Sequence, residues 1–336
     1  MLQHLRACLC LLVVSVVLCC VAYPAVLWGI GKTIFPRQAS GSIVERGGKE
    51  VGSSLIAQPF TDEKYFQPRP SAASYDASNS SATNWAGNNY LLRDRVAQQL
   101  GPIARYASGP KKGELVGADI EQWFHADKFR NNPGIVAQWV NLHGTVAQNW
   151  IKGDPLKSAY VAKWQDAHAN DVAAWVKDNP ATPNPKPEDL AQIFFQEFSK
   201  SHPGEFLKIT DDNKGVELTS KGDDIRKTFF DMWLTDHADV DLEKVPGDMV
   251  MASASGLDPH ITLENAIWQL DHSAIAAAWA KSSGKSEANV RDEILRLLHG
   301  KSSAPLAGLI GVPLINVLEI NLALQDHFQS SAAAAK

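Results

Sequence analysis

The sequence predicts a single N-terminal transmembrane helix followed by an α+β domain with a mainly helical middle stretch. Three observations lead there. An uncharged run occupies Ala7 to Gly31. Short β-like and helical patterns in mixed order lie on either side of the middle of the chain. The middle itself, residues 103–245, is tryptophan-rich and patterned at helical spacing.

The apolar run comes first. As a helix at ~1.5 Å per residue it spans roughly 37 Å, enough for a ~30 Å hydrocarbon core with some tilt. A cleaved signal peptide is the alternative, but its apolar core is shorter and ends in small residues. Here the run ends Ala22-Tyr23-Pro24-Ala25-Val26-Leu27-Trp28, and Leu18 before Cys19 suits a lipoprotein signal poorly. Tyr23 and Trp28 fit a membrane interface, and Pro24 is expected to kink or end the helix. Arg6 with the amino terminus on one flank nearly balances Lys32 and Arg37 on the other, so charge does not set the orientation.

Composition bounds the rest. At 336 residues, one large or two modest folded units can follow the anchor. A net charge of −5 argues against a nucleic-acid partner, which needs a basic stripe. All four cysteines (Cys8, Cys10, Cys19, Cys20) lie in the apolar run, so the remainder has no disulfide and no thiolate metal site.

After the anchor, Ile43 and Val44 read as one strand, Gly47-Gly48 as a turn and Val51 to Ile56 as the return. Gln58 to Ala72 is an aromatic, proline-interrupted loop without a regular period. Residues 73–89, rich in Ser, Ala and Asn, read either as a flexible loop or as an ordered one that docks on a partner. Beyond residue 246, Thr262 is placed to cap a helix carrying Ala266, Ile267 and Leu270. Ser286 precedes Val290, Ile294, Leu297 and Leu298 at helical spacing, with Gly300 at the end. Leu314 to Leu324 reads as a buried closing strand, and residues 329–336 as a disordered tail.

Several of these stretches carry a resemblance. Tyr23-Pro24 follows the apolar run, then Phe35-Pro36-x-x-Ala39-x-Gly41-Ser42, Gly52-Ser53-x-Leu55-Ile56 and Tyr65-Phe66-x-x-Arg69-Pro70-Ser71-Ala72. Later come Ala252-Ser253-Ala254-Ser255-Gly256-Leu257-Asp258-Pro259-His260-Ile261 and Pro313-x-x-Asn316-Val317-Leu318-x-x-Asn321-Leu322-Ala323-Leu324. In this order they resemble the C subunit of the Kdp potassium-transporting ATPase, over about 1–102 and 246–328. On that resemblance, residues 1–31 are a cytoplasmic head and membrane helix. Residues 32–102 and 246–328 are then two halves of one extracytoplasmic domain, split by the insertion 103–245. His272 stands where the family usually has an arginine.

The resemblance implies a non-catalytic subunit in a bacterial plasma membrane. Its partners would be a channel-like potassium-binding subunit, a P-type ATPase subunit and a small single-helix subunit. It also implies a role in assembly and a raised ATP affinity of the pump subunit, with Gln269 the one weak nucleotide candidate against a structural hydrogen bond. Tyr65, Phe66, Arg69, Pro70 and Ser71 are candidates for a partner interface, since aromatic and arginine side chains dominate hot spots. The opposing reading is that Tyr65 and Phe66 cover the domain's own core. Ser255, Gly256, Asp258 and Pro259 read as a structural turn.

The insertion repeats itself. Val136-Ala137-x-Trp139-x-x-x-His143 with Trp150 recurs as Val161-Ala162-x-Trp164-x-x-x-His168 with Trp175. On one continuous helix each Trp/His/Trp set forms a stripe. One reading pairs His143 with His168 on a metal or haem; the other makes the tryptophans a core with histidines at its edge. Two histidines without cysteine or an H-E-x-x-H pairing point to metal only weakly, so no metal is expected. A membrane-anchored ligand- or metal-binding protein using this repeat is the alternative function. Asn179 to Pro187 is a proline-rich linker, and Leu190 to Phe198 a further apolar helix.

Catalytic signatures were sought and rejected. Gly31-Lys32-Thr33 ends like a phosphate-binding loop, but the required upstream glycine is Val26. No Asp-Lys-Thr-Gly phosphorylation motif occurs, and Ser53, Ser71 and Ser255 lack a G-x-S-x-G setting.

Overall fold

A computed structural model describes residues 2–129, 133–210 and 214–334. They fall into two units: one formed by the chain up to Thr83 and from Pro246 onward, the other by Asn84–Val245. Helices dominate both units, and the strands among the described residues form three separate antiparallel pairs.

The first unit begins with the apolar segment, helical from Gln3 to Ile34 and long and apolar enough to cross a membrane. Pro24 does not end this helix. A π-helical turn, Val17–Ala22, precedes it, and the Tyr23 amide reaches back to the Leu18 carbonyl. The widened turn absorbs the amide that proline lacks, so the helix continues through Tyr23–Ile34. The expected hairpin follows: Ile43–Arg46 pairs with Lys49–Ser53 across Gly47 and Gly48, both at positive φ.

The rest of this unit includes a second antiparallel strand pair and four longer helices. His260–Thr262 runs antiparallel to Leu314–Asn316, both from the segment after Pro246. Thr262 caps Leu263–His272 through the Asn265 amide, and its own amide and hydroxyl donate to Asp248. Ile275–Ser283 ends at Gly284 in a left-handed conformation, and Ser286 caps Glu287–Lys301. The expected closing strand at 314–324 is a strand only to Asn316, after which Val317–Ala334 is helical. An apolar run of this length fits either element by periodicity; here Ile320, Leu324 and Phe328, at helical spacing, are buried among Ile261, Trp279 and Leu298. Residues 329–334, expected in a disordered tail, belong to that helix, and 335–336 lie outside the described residues.

The second unit takes in residues 84–102, which the sequence reading gave to the α+β domain. Asn89 caps Tyr90–Leu100, which packs on Asp223–Asp236, as does Gly117–His125. Ala191–Ser201 packs on Ile135–Leu142, and Phe206–Ile209 pairs with Val216–Thr219. Trp139 lies at the centre, edge-on to Phe195, Phe206 and Phe229 at 5.1, 5.5 and 5.9 Å. These aromatic contacts supply much of the buried area that holds a disulfide-free unit together.

Candidate functional site

In the first unit, the loop proposed as a dock is clamped from within. Phe66 is fully buried, among Leu270, Trp279 and Ile320 in its own core, so it is not a docking anchor. The Asn321 side chain accepts from the Phe66 amide and donates to its carbonyl, both at 2.9 Å. The Gln269 amide does the same for Gln67, at 2.8 and 3.0 Å, and spends its other N–H on Asn265 at 2.8 Å. Each side-chain amide thus replaces a neighbouring strand, satisfying backbone groups that have no ladder of their own. Gln269 has no free N–H left to offer a nucleotide.

Tyr65 is half-buried, edge-on to Trp279 at 6.2 Å, with its hydroxyl on Gln325. Arg69 reaches the Met251 and Ala252 carbonyls at 3.2–3.3 Å, which gives it a role within its own unit. Ser71 donates to the Gly256 carbonyl and accepts from the Ala73 and Tyr75 amides. Pro70 is half-buried between them.

The turn at 253–260 meets this loop. Gly256 has φ +68°, and a Cβ there would lie 2.8 Å from the Ser81 carbonyl oxygen and 3.0 Å from the Ala73 nitrogen. Both the conformation and the close approach require glycine. Ser255 accepts from the Leu257 amide through its hydroxyl, while its carbonyl takes the Ser81 amide at 3.0 Å. Asp258 accepts from the His260 amide and imidazole, each at 3.0 Å. The hydrogen bond to His260 holds the Asp258 carboxyl below its usual range, and the same bond raises His260. The Pro259 carbonyl accepts from Val317 at 2.9 Å.

The Trp/His repeat is not one stripe per helix. His143 stands between Ile135–Leu142 and Gly144–Lys152, and His168 between Pro155–Ala167 and Ala169–Asp178, with φ −126° and −116°. Each histidine therefore marks a helix end. His168, His237 and His272 all turn back on the indole four residues earlier, at ring separations of 4.4–4.8 Å. Their Nδ1 atoms lie 2.8–2.9 Å from that tryptophan's carbonyl and so must carry the proton. The motif closes helix ends, and His272 does so at the end of Leu263–His272.

His143 behaves differently. It is buried, with Nδ1 3.1 Å from Asp94 Oδ1. Asp231 completes a group whose ligand atoms all lie within 4.8 Å of one another. His168 has no part in it, so the two histidines singled out by the repeat serve separate purposes. Nothing in local spacing announces the group, because its members come from positions 94, 143 and 231.

With this geometry in view, comparisons with known proteins decide the family. The family described as "K+-transporting ATPase, c chain" matches residues 5–121 and 211–326, more than half of the chain. The chain belongs to this family. It is 48% identical over 102 residues to the potassium-transporting ATPase KdpC subunit of Rhodospirillum rubrum, covering 30% of this chain and 53% of that one. It is 42% identical over 107 residues to the KdpC subunit of Pseudomonas syringae, covering 32% and 56%. With that of Allorhizobium ampelinum it shares 42% over 149 residues, 42% and 78% of the two lengths. In the first of these alignments the chain spans about half the length of its relative.

The family match includes the clamped loop, the glycine turn, Gln269 and Asn321. It also reaches Asp94 and Asp231 in the second unit. The unmatched stretch, 122–210, is narrower than the expected insertion and contains both His143 and His168.

Proposed function

We propose that this chain is the non-catalytic, single-span subunit of an ATP-driven potassium importer of the plasma membrane. The observation that carries the reading is the family match on both sides of one interruption, behind a helix able to span a bilayer. Its partners are a channel-like potassium-binding subunit, a P-type ATPase subunit and a small single-helix subunit. The chain stabilises their assembly, with its amino terminus cytoplasmic and both folded units extracytoplasmic. On this topology an effect on ATP affinity is transmitted through the membrane partners, since an extracytoplasmic surface does not meet cytoplasmic nucleotide. The half-exposed side chains around Tyr65, Arg69 and Pro70 remain the part of the loop available to a partner, with Phe66 as their buried footing.

Deleting the gene tests this reading. The expected result is loss of growth at limiting potassium, restored by the full chain. Growth of the deletion strain like wild type would remove the proposal. Topology is tested separately, by a reporter fused after Lys336: activity only in the cytoplasm would reverse the orientation.

A further inference from the structure

We infer that Asp94, His143 and Asp231 bind one divalent first-row transition ion, with zinc the best match. The three come from Tyr90–Leu100, the junction after Ile135–Leu142, and Asp223–Asp236. Their ligand atoms lie within 4.8 Å of one another. Ligands of a tetrahedral ion at ~2.1 Å stand roughly 3.4 Å apart, so modest side-chain rotation closes the set. The donors, one imidazole nitrogen and two carboxylates, suit a borderline cation better than calcium or magnesium, which prefer oxygen alone.

A second observation points to a ligand. Asp94 is 6% exposed, and its Oδ2 is buried without a hydrogen-bond partner. An unsatisfied carboxylate oxygen in the interior is costly, and a cation removes that cost. His143 satisfies only the other oxygen, at 3.1 Å. On the far side Asp231 Oδ2 pairs with Arg93 at 3.0 Å, and that exposed arginine can yield to an ion. A cavity of ≈ 10 Å³ lies against Asp94, His143, Asp231 and Thr228. It has room for one ion or water. Lys227 also borders it and is already drawn towards Asp223, at 3.5 Å. The nitrogen ligand comes from the stretch outside the family match and the two carboxylates from inside it, so the complete site needs both.

The inference is independent of the transport reading and is tested apart from it. The full chain, purified in detergent and stripped with chelator, is titrated with zinc alone by calorimetry and with cobalt by visible absorption. The expected result is one equivalent bound, a higher melting temperature with zinc, and cobalt bands of a low-coordinate site. His143→Ala and Asp94→Asn should each weaken binding at least tenfold. Asp231→Asn should do the same, and because it keeps the buried His143–Asp94 pair it guards against a folding failure in the other two. Absence of saturable binding, or wild-type affinity in a folded Asp231→Asn protein, would overturn the site and leave the cluster a buried ion pair only.

Discussion

Asn321 and Gln269 show how much one side-chain amide can hold. Asn321→Ala strands the Phe66 amide and carbonyl beside a buried ring, and leaving a buried polar group unpaired costs ~1–3 kcal/mol. Urea denaturation of the mutant should therefore show a loss of roughly 2 kcal/mol or more. Gln269→Ala should cost a similar amount: water can replace the bonds to exposed Gln67, but the buried Asn265 Oδ1 loses its donor. If Asn321→Ala is as stable as wild type, the clamp does not hold the loop. The Asp258–His260 pair makes a pH prediction. Asp258 is depressed, so its contribution is present above its unfolded value of ~3.9 and is lost as pH falls through the lower folded value. His260 is raised, so its contribution is complete below ~6.5 and is lost as pH rises through the higher folded value. The stability gap between wild type and His260→Ala should be widest between about pH 4 and 6.5 and should narrow above. Melting curves that show a constant gap across neutral pH would contradict it. Residue type allowed a structural hydrogen bond at Gln269, but not which backbone groups it or Asn321 would hold, because those partners lie 202 and 255 residues away. Residue types at 255–259 suggest a turn locally, whereas the bonds from Arg69 to the Met251 and Ala252 carbonyls join positions far apart in the chain and leave no local signal.

At the scale of elements, the apolar helix, the Gly47-Gly48 hairpin and the helices at 191–201 and 287–301 were visible because each depends on local pattern. The failures were of a different kind. Residues 317–324 are apolar enough for a strand, and only their packing against Trp279 and Leu298 makes them helical. The Trp/His spacing suggested long stripes because helical periodicity does not register a histidine that ends its own helix. That capping role can be measured in His237. Its ring stacks on Trp233 at 4.8 Å and its Nδ1 donates to the Trp233 carbonyl at 2.8 Å. His237→Ala should lower stability by about 0.5–1.5 kcal/mol, the worth of one such hydrogen bond. An unchanged melting temperature would show the stack to be incidental. Pro24 teaches the same lesson in the membrane helix: a residue expected to kink or end it is carried by a π-turn that no composition rule announces.

For the whole molecule, the compact units divide at Asn84 and Pro246, whereas the interruption of the resemblance was drawn at 103–245. The family match itself continues to residue 121 and resumes at 211, inside the second unit. Sequence likeness and packing therefore draw different boundaries, because helices 90–100 and 117–125 need the 223–236 helix to bury their apolar faces. Removing residues 84–245 through a short Gly/Ser linker should leave the first unit folded. The Ser81 amide already bonds the Ser255 carbonyl at 3.0 Å, which ties the segment before the cut to the segment after it. Cooperative unfolding of the shortened chain in detergent checks this, and an aggregated or unfolded product would show the units to be interdependent. The claim on which the functional reading rests is membership of a potassium pump, and co-purification tests it most directly. An affinity-tagged full chain, extracted in mild detergent from its own cells, is predicted to bring down the channel-like and P-type subunits in fixed ratio. Recovery of the tagged chain alone, folded and membrane-inserted, would contradict it.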